Sequence, residues 1–372
     1  MTIRLFEPVT MRGLTLPNRI VVEPMTQFSA DEGVAGDWHI MHLGQFAVSG
    51  AGMVFTESCY VEAIARNNPA SLALYTDEQE AAIGRISKFF HENSAGAFGV
   101  QLCHGGRKAS SRPHWLGGGK LGLDEGGYEA VAPSPIAIRE GWPVPRELTT
   151  AEIQDIVGMF RESAIRAERA GVNVIEIHAA HGYLLHEFLS PITNQRTDQY
   201  GGALDNRLRL ATEVFEAIRS VWPDDRPLGI RVSATDGIKD GWDVEQTTEL
   251  AKRLDGLGCD FIDVSSGGVV PEQEIESGPG FQVGFAAAVK AEVKMKVIAV
   301  GQITTPKQAE AILQAGDADM VGLARMMLYN PRWPWTAAYE LGADLPYPKQ
   351  YERSHPDRMG HGGVATPGNV IE

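Results

Sequence analysis

At 372 residues the chain is longer than an average domain and suits one large α/β barrel carrying insertions. A hydrophobic fraction of 43% and a charged fraction of 22% are those of an ordinary globular protein, and the formal net charge of −15 argues against nucleic acid or an anionic membrane surface as partner. Three separated cysteines (Cys59, Cys103, Cys259) argue against a disulfide framework or metal site, and no signal-like or membrane-length apolar run occurs, so a cytoplasmic protein is expected.

Short β-rich runs alternate with helical ones from the start. Arg19 to Pro24 reads as a strand, Trp38 to Ser49 as a helix, and Met53 to Glu57 as the second strand. Asp77 with Glu80 has the spacing of a capping box opening a helix to about His91, and Ala97 to Cys103 is the third strand. From Gly105 to Glu147 the composition turns to Gly, Pro, Trp and Ser with no period of either kind. Thr149 and Glu152 then cap a helix whose apolar residues recur at three and four, and Gly171 sits where a C-terminal cap belongs.

The fourth strand, Val172 to Ile177, is followed by helix from Leu204 to Val221 and a fifth strand, Pro227 to Val232. Asp243 caps a helix to about Leu257, and Asp260 to Ser265 is the sixth strand. Phe281 to Val293 reads as helix, Lys296 to Gly301 as the seventh strand, and Thr305-Pro306 opens a helix with proline where its missing N–H costs nothing. Asp319 to Ala324 is the eighth strand, and a last helix runs from Trp333 to Leu341. Eight strand–helix alternations predict a single (β/α)₈ TIM barrel over residues 1–372, with an insertion at 105–147 and a tail at 343–372.

In such a barrel the residues at strand C-terminal ends converge on one mouth. The fourth strand exits into His178-Ala-Ala-His181-Gly-Tyr183, two imidazoles and a phenol within six residues. Single histidines are usually structural; three hydrogen-bonding rings at one strand exit point to function. Strands seven and eight end in Gly301-Gln302 and Ala324-Arg325, the usual phosphate-binding place in barrels, although Arg325 could equally pair with a nearby acid. The doublet Gly267-Gly268 tips that choice toward phosphate. The mouth offers few carboxylates, one arginine (Arg231) and no ligand cluster for a metal. Such a site suits a phosphate-bearing cofactor that carries the chemistry itself, with histidine donors for an oxyanion.

At these residues the chain resembles the old yellow enzyme family of FMN-dependent ene-reductases, in its thermophilic-like and xenobiotic-reducing branch. The match runs through Pro17-Asn18-Arg19-Ile20, Gln101-Leu-Cys-His104-Gly-Gly-Arg107-Lys108, the His178 to Pro191 block and Asn194-Gln-Arg196-Thr-Asp198-Gln-Tyr200-Gly-Gly202. The resemblance implies FMN as cofactor, NADPH or NADH as reductant, and an electron-poor alkene such as an α,β-unsaturated ketone or aldehyde as substrate. It implies that Pro24, Met25 and Thr26 line the flavin ring, and that Ser58 and Gln101 bind its pyrimidine edge. Arg231 would lie beside N1 and O2, with Gly301, Gln302, Ala324 and Arg325 on the phosphate. His178 and His181 would donate to the substrate carbonyl, Tyr183 would deliver the proton, and Phe28 would line the substrate pocket. A tail arginine, Arg353, would reach the neighbouring subunit's site, which implies a homodimer or a multiple of dimers; a solvated tail residue is the plain alternative.

Four positions depart from the family pattern. Thr26 stands where the branch commonly has cysteine, Phe28 where it has tyrosine, Ala324 where glycine is common, and Glu23 where a small residue is usual and no role can be assigned. His104 resembles a family position near the flavin, whereas His39, His42 and His186 read as structural. The 105–147 insertion, with Trp115 and Trp142, reads either as a lid over the cofactor or as disorder near its Gly-rich 117–127 stretch. A family member acting mainly on nitro compounds or nitrate esters or as a dehydrogenase, and a flavin-free barrel lyase or isomerase using the phosphate site, are the alternative functions.

Overall fold

The computed structural model describes residues 2–356. Eight parallel strands close on themselves: β1 (Ile20–Val22), β2 (Met53–Tyr60), β3 (Ala97–Cys103), β4 (Val174–Ala179), β5 (Leu228–Ser233), β6 (Phe261–Ser265), β7 (Lys296–Ala299) and β8 (Met320–Leu323), with β8 pairing back onto β1. The helices between them form the outer ring, so the (β/α)₈ expectation holds. They are α1 (Asp37–Ala47), α2 (Asp77–Asn93), α3 (Thr150–Arg169), α4 (Leu184–Leu189), α5 (Leu204–Arg219), α6 (Val244–Gly256), α7 (Val283–Lys290), α8 (Pro306–Ala315), α9 (Arg325–Tyr329) and α10 (Trp333–Leu341). None of the described helices is long and apolar enough to cross a membrane.

Local chemistry sets the helix starts. Thr149 and Glu152 form the expected capping box, and Asp243 and Thr305 each accept the N–H three residues on. At α2 the box is displaced by one residue. Thr76, in extended conformation, accepts Gln79 N–H, and the Gln79 side chain returns the bond. Asp77 and Glu80 are taken up by α3 instead, where Arg166 lies 2.6 Å from Asp77 and Arg169 lies 2.7 Å from Glu80. Helix α7 is shorter than its apolar run suggested, and the short α4 and α9 follow strands directly, where sequence periodicity has too few residues to show them.

The barrel interior is divided along its axis. Its lower half is apolar: Val21, Met53, Phe55, Ala97, Val174, Phe261, Ile298 and Met320 meet there, and an N-terminal hairpin (Val9–Met11 with Leu14–Leu16) closes the bottom with Val9, Met11 and Leu16. Two glycines admit the large rings: a Cβ on Gly99 would lie 2.5 Å from Phe55, and one on Gly229 2.5 Å from Phe261. Two residues further along the same strands, the inward positions become polar. Strand registers place Gln101 opposite Glu176, His178 opposite Arg231, and Arg231 opposite Asp263. The sequence expectation of few carboxylates at the mouth is therefore wrong; Glu23, Glu176 and Asp263 are all buried inside it.

The insertion leaves the barrel after β3. It contains three 3₁₀ turns, an isolated bridge between Ser111 and Lys120, and a two-stranded ladder pairing Val131–Ala132 with Arg146–Glu147. Arg107 ties it down by donating to the carbonyls of Ile136, Ala137 and Val269. The tail packs Tyr347 flat on Trp335 at 4.0 Å and turns through a 3₁₀ helix, Lys349–Ser354, on which Arg353 is exposed. The remainder of the tail, 357–372, lies outside the described residues.

Candidate active site

Strand β4 delivers His178 at its end, and the chain then turns sharply. His181 (φ 59°) and Gly182 (φ 73°) both adopt left-handed backbone, and a Cβ on Gly182 would lie 2.2 Å from the carbonyl oxygen of Gly268. The turn is held from three sides. Ser233 Oγ accepts the His181 N–H at 2.9 Å, His186 Nδ1 accepts the Gly182 N–H at 2.9 Å, and Lys108 donates to the His181 carbonyl at 2.5 Å. His186 is itself held by Asp236, 2.9 Å from its Nε2. Gly268 packs against this turn and Gly267 against Gln273 and Ile275, and neither lines the cavity that holds Gly301 and Arg325.

This turn brings three rings together. His178 and His181 have centroids 5.2 Å apart and His178 and Tyr183 4.7 Å apart, all edge to face. His178 Nδ1 accepts the Ala180 N–H, which leaves the proton of the neutral ring on Nε2, 3.5 Å from His181 Nδ1. His181 Nε2 lies 2.7 Å from Ser265 Oγ. Burial, reinforced by the charge of Arg231, holds both histidines well below the ordinary imidazole range, so both are neutral at pH 7. Tyr183 takes a hydrogen bond from Asn67 at 3.3 Å, and burial pushes its phenol up, keeping the O–H protonated. Lys108 lies 5.7 Å from the Tyr183 ring centroid, its ammonium pushed down by burial to about 8.

Deeper in the barrel, Arg231 is clasped by two acids: Nη1 lies 2.8 Å from Glu23 and Nε 2.8 Å from Asp263. Ser58 donates to Gln101 at 2.8 Å, and Gln101 donates to Glu176 at 2.7 Å, so the two residues expected at one edge of a ring form a single chain of hydrogen bonds. Burial pushes the Glu176 carboxyl up to about 8, with Asp263 adding to the effect. For Arg231, burial opposes the charge, but Asp263, Glu23 and Glu176 outweigh it and keep the guanidinium protonated.

Pro24, Met25 and Thr26 follow β1 at the rim, with Met25 buried and Thr26 exposed. Glu57 anchors the next residue by accepting the Gln27 N–H at 3.0 Å, and His39 holds Glu57 at 3.2 Å. Phe28, with left-handed backbone (φ 47°), presents its ring to Trp115 of the insertion, centroids 5.7 Å apart. His104 is paired with Glu62 at 2.9 Å.

A cavity of about 570 Å³ opens beside Arg231 and is lined by Glu23, Gly301, Gln302, Ala324 and Arg325 among others. The four residues expected on a phosphate thus share one cavity with the arginine expected beside a ring. Gly301 (φ 107°) needs its lack of a side chain, since a Cβ would come within 3.0 Å of Gln282. Arg325 is exposed to this cavity and has no carboxylate partner among the described residues, which favours the anion reading over the acid pair. Arg353 does not line it.

Sequence reasoning missed Asp263, Glu176, Lys108 and Asn67 as parts of the site. The first two had a readable signal. In Glu176-Ile-His178, Arg231-Val-Ser233 and Asp263-Val-Ser265, polar residues recur at every second position, which marks one polar face along each of three adjacent strands.

A family model for the NADH:flavin oxidoreductase / NADH oxidase family matches residues 4–344. An NADH:flavin oxidoreductase of Gibberella zeae is 41% identical over 382 residues, covering 98% of this chain and 92% of the relative. An NADPH dehydrogenase of Geobacillus thermodenitrificans is 42% identical over 351 residues, covering 94% and 98%. Among solved structures, morphinone reductase in complex with tetrahydroNAD aligns with a TM-score of 0.74 at 29% identity over 92% of each chain. The old yellow enzyme homologue of Zymomonas mobilis aligns with a TM-score of 0.75 at 26% identity, covering 92% and 94%.

Proposed function

The chain belongs to the NADH:flavin oxidoreductase / NADH oxidase family, in its old yellow enzyme group, and from that premise we propose that it reduces the C=C bond of α,β-unsaturated ketones and aldehydes. It is an oxidoreductase that uses FMN, with NADH or NADPH as reductant. Two observations support the fit of that cofactor. A cavity reaches from Arg231 to the glycine-opened backbone at Gly301, and buried Arg231 Nε has no aligned hydrogen-bond acceptor despite its contact with Asp263. We assign the ring to Pro24, Met25, Thr26, Ser58, Gln101 and Arg231, and the phosphate to Gly301, Gln302, Ala324 and Arg325. When bound, FMN supplies the hydride.

The chain's own part is to stabilise charge and to deliver a proton. The observation that carries the reading is the pair of neutral imidazoles at one mouth with a protonated phenol beside them. His178 Nε2–H, with His181 Nδ1 at 3.5 Å, can turn its donation to a carbonyl oxygen as enolate character develops; His181 joins it by exchanging its contact with Ser265. Tyr183 holds a proton above the same space for the α-carbon. Nicotinamide and alkene would use this mouth in turn, which gives ping-pong kinetics. The exposed Arg353 is consistent with reaching a neighbour's mouth in a homodimer.

The test is the visible spectrum of the purified protein under anaerobic NADPH and then cyclohexenone. Flavin bands should bleach with NADPH and return with the enone. Bands that return only with oxygen would overturn alkene reduction while leaving the flavin.

A further inference from the structure

Arg231 shares the cavity wall with Arg325 but is the buried one of the two, and it lies between two acids. Glu23 lies 2.8 Å from Nη1 and Asp263 lies 2.8 Å from Nε. Asp263 is a strand neighbour of Arg231 and sits directly opposite it in register. Glu23 is not. It is carried by β1, across the barrel, and its 2% exposed carboxyl reaches the arginine through space that exists only because residue 322 is glycine. A Cβ on Gly322 would lie 1.9 Å from Glu23 Oε1. A long acidic side chain and the gap that admits it are thus matched on adjacent strands, β1 and β8, and both line the cavity assigned to the cofactor.

We infer that Glu23 is a positioning residue that holds Arg231 Nη1 back from the cofactor and so keeps the reduction potential of the bound flavin low. This rests on the FMN reading above. A guanidinium N–H aimed at a ring that gains negative charge on reduction stabilises the reduced form. A guanidinium nitrogen drawn to Glu23 does so less. The reach of the side chain matters more than its charge. Burial and the neighbouring Asp263 both push the Glu23 carboxyl up, toward the protonated form, in which its oxygen still occupies the place 2.8 Å from Nη1.

Two near-isosteric variants of the holoprotein separate reach from charge. Glu23→Gln keeps an oxygen at the same distance from Arg231 without any charge, whereas Glu23→Asp keeps the acid but shortens it by one methylene. The midpoint potential of bound FMN, read against a reference dye, should rise by about 30 mV or more in Glu23→Asp, a tenfold gain in relative affinity for reduced over oxidised flavin. Glu23→Gln should stay at the wild-type potential. The opposite pattern, a shift in Glu23→Gln with Glu23→Asp unchanged, would make Glu23 a charge effect and overturn the inference. Equal potentials in all three proteins would overturn it as well. A wild-type protein that takes up no FMN would refute the cofactor reading itself, and that is seen in the spectrum before any variant is made.

Discussion

The two halves of the barrel interior are built on the same strands, two residues apart, and follow opposite rules. Below, Phe55 and Phe261 fill the space over Gly99 and Gly229, and stability comes from burial and close packing. Above, at the next inward positions, Glu23, Gln101, Glu176, Arg231 and Asp263 are equally buried and mutually paired. Buried ion pairs of this kind contribute little net stability, because desolvation offsets most of the attraction. The lower half holds the barrel closed, and that leaves the upper half free to carry buried polar groups that add little to stability.

Substitutions should therefore divide by layer. The largest effect on stability belongs to the lower half: Phe261→Ala, which removes a fully buried ring from the plug, should cost about 3–5 kcal/mol. Urea denaturation measures it, and a cost below about 1 kcal/mol would mean that the hairpin or neighbouring strands collapse into the space. In the upper half, His178→Ala should cost less, about 1–3 kcal/mol for the buried Ala180 N–H left without its acceptor, and lower enone turnover by roughly 10²–10³-fold, the usual effect of losing one oxyanion donor. The double His178→Ala, His181→Ala variant should abolish turnover while FMN stays bound. Retained turnover would remove these imidazoles from the mechanism.

A third substitution should do what no lower-half change can do, and stabilise the protein. The Glu176 carboxyl is pushed up to about 8 by burial and by Asp263, from an ordinary value near 4.5. Because the folded value is the higher one, its favourable contribution is complete below pH 4.5 and is lost as pH rises through about 8. Glu176→Gln removes that pH-dependent loss and keeps an oxygen for the Gln101 N–H. It should gain roughly 1–3 kcal/mol at pH 8 and almost nothing at pH 4. Urea titrations of both proteins at the two pH values provide the check; a gain that is the same at both would assign the effect to packing.

The same division explains what could be read in the sequence. Strand order and the helix starts at Thr149, Asp243 and Thr305 were legible because they depend on residues close in the chain. So was the convergence of Gly301, Gln302, Ala324 and Arg325, since a barrel places all strand ends at one mouth. The polar floor was legible only in part. The alternation in Glu176-Ile-His178 and Asp263-Val-Ser265 marks a polar face on each strand, but such a face reads first as the solvent side, and only closure of the barrel turns it toward Arg231. Glu23 was noticed but could not be explained, because its partner lies 208 residues away and the gap that admits it, Gly322, is on the last strand. The one-residue error at α2 has a similar origin: Asp77 and Glu80 had the capping spacing, but α3 offered them arginines.

The smallest effect concerns the rim, where neither rule applies. Phe28 and Trp115 meet edge to face at 5.7 Å, joining the β1 exit to the insertion, and Trp115 remains 56% exposed. An aromatic pair of this geometry contributes about 0.5–1.5 kcal/mol, enough to bias the position of a loop but not to hold a domain together. If the insertion shapes the mouth through this contact, Trp115→Ala should change KM by at most about tenfold, more for bulky enones than for cyclohexenone. The flavin potential and the urea midpoint should both stay where they were, since Trp115 touches neither layer of the interior. Equal kinetics across enones of different size would show that the insertion is not a lid. A shifted potential would show instead that it reaches the cofactor, and the separation of rim from polar floor would have to be redrawn.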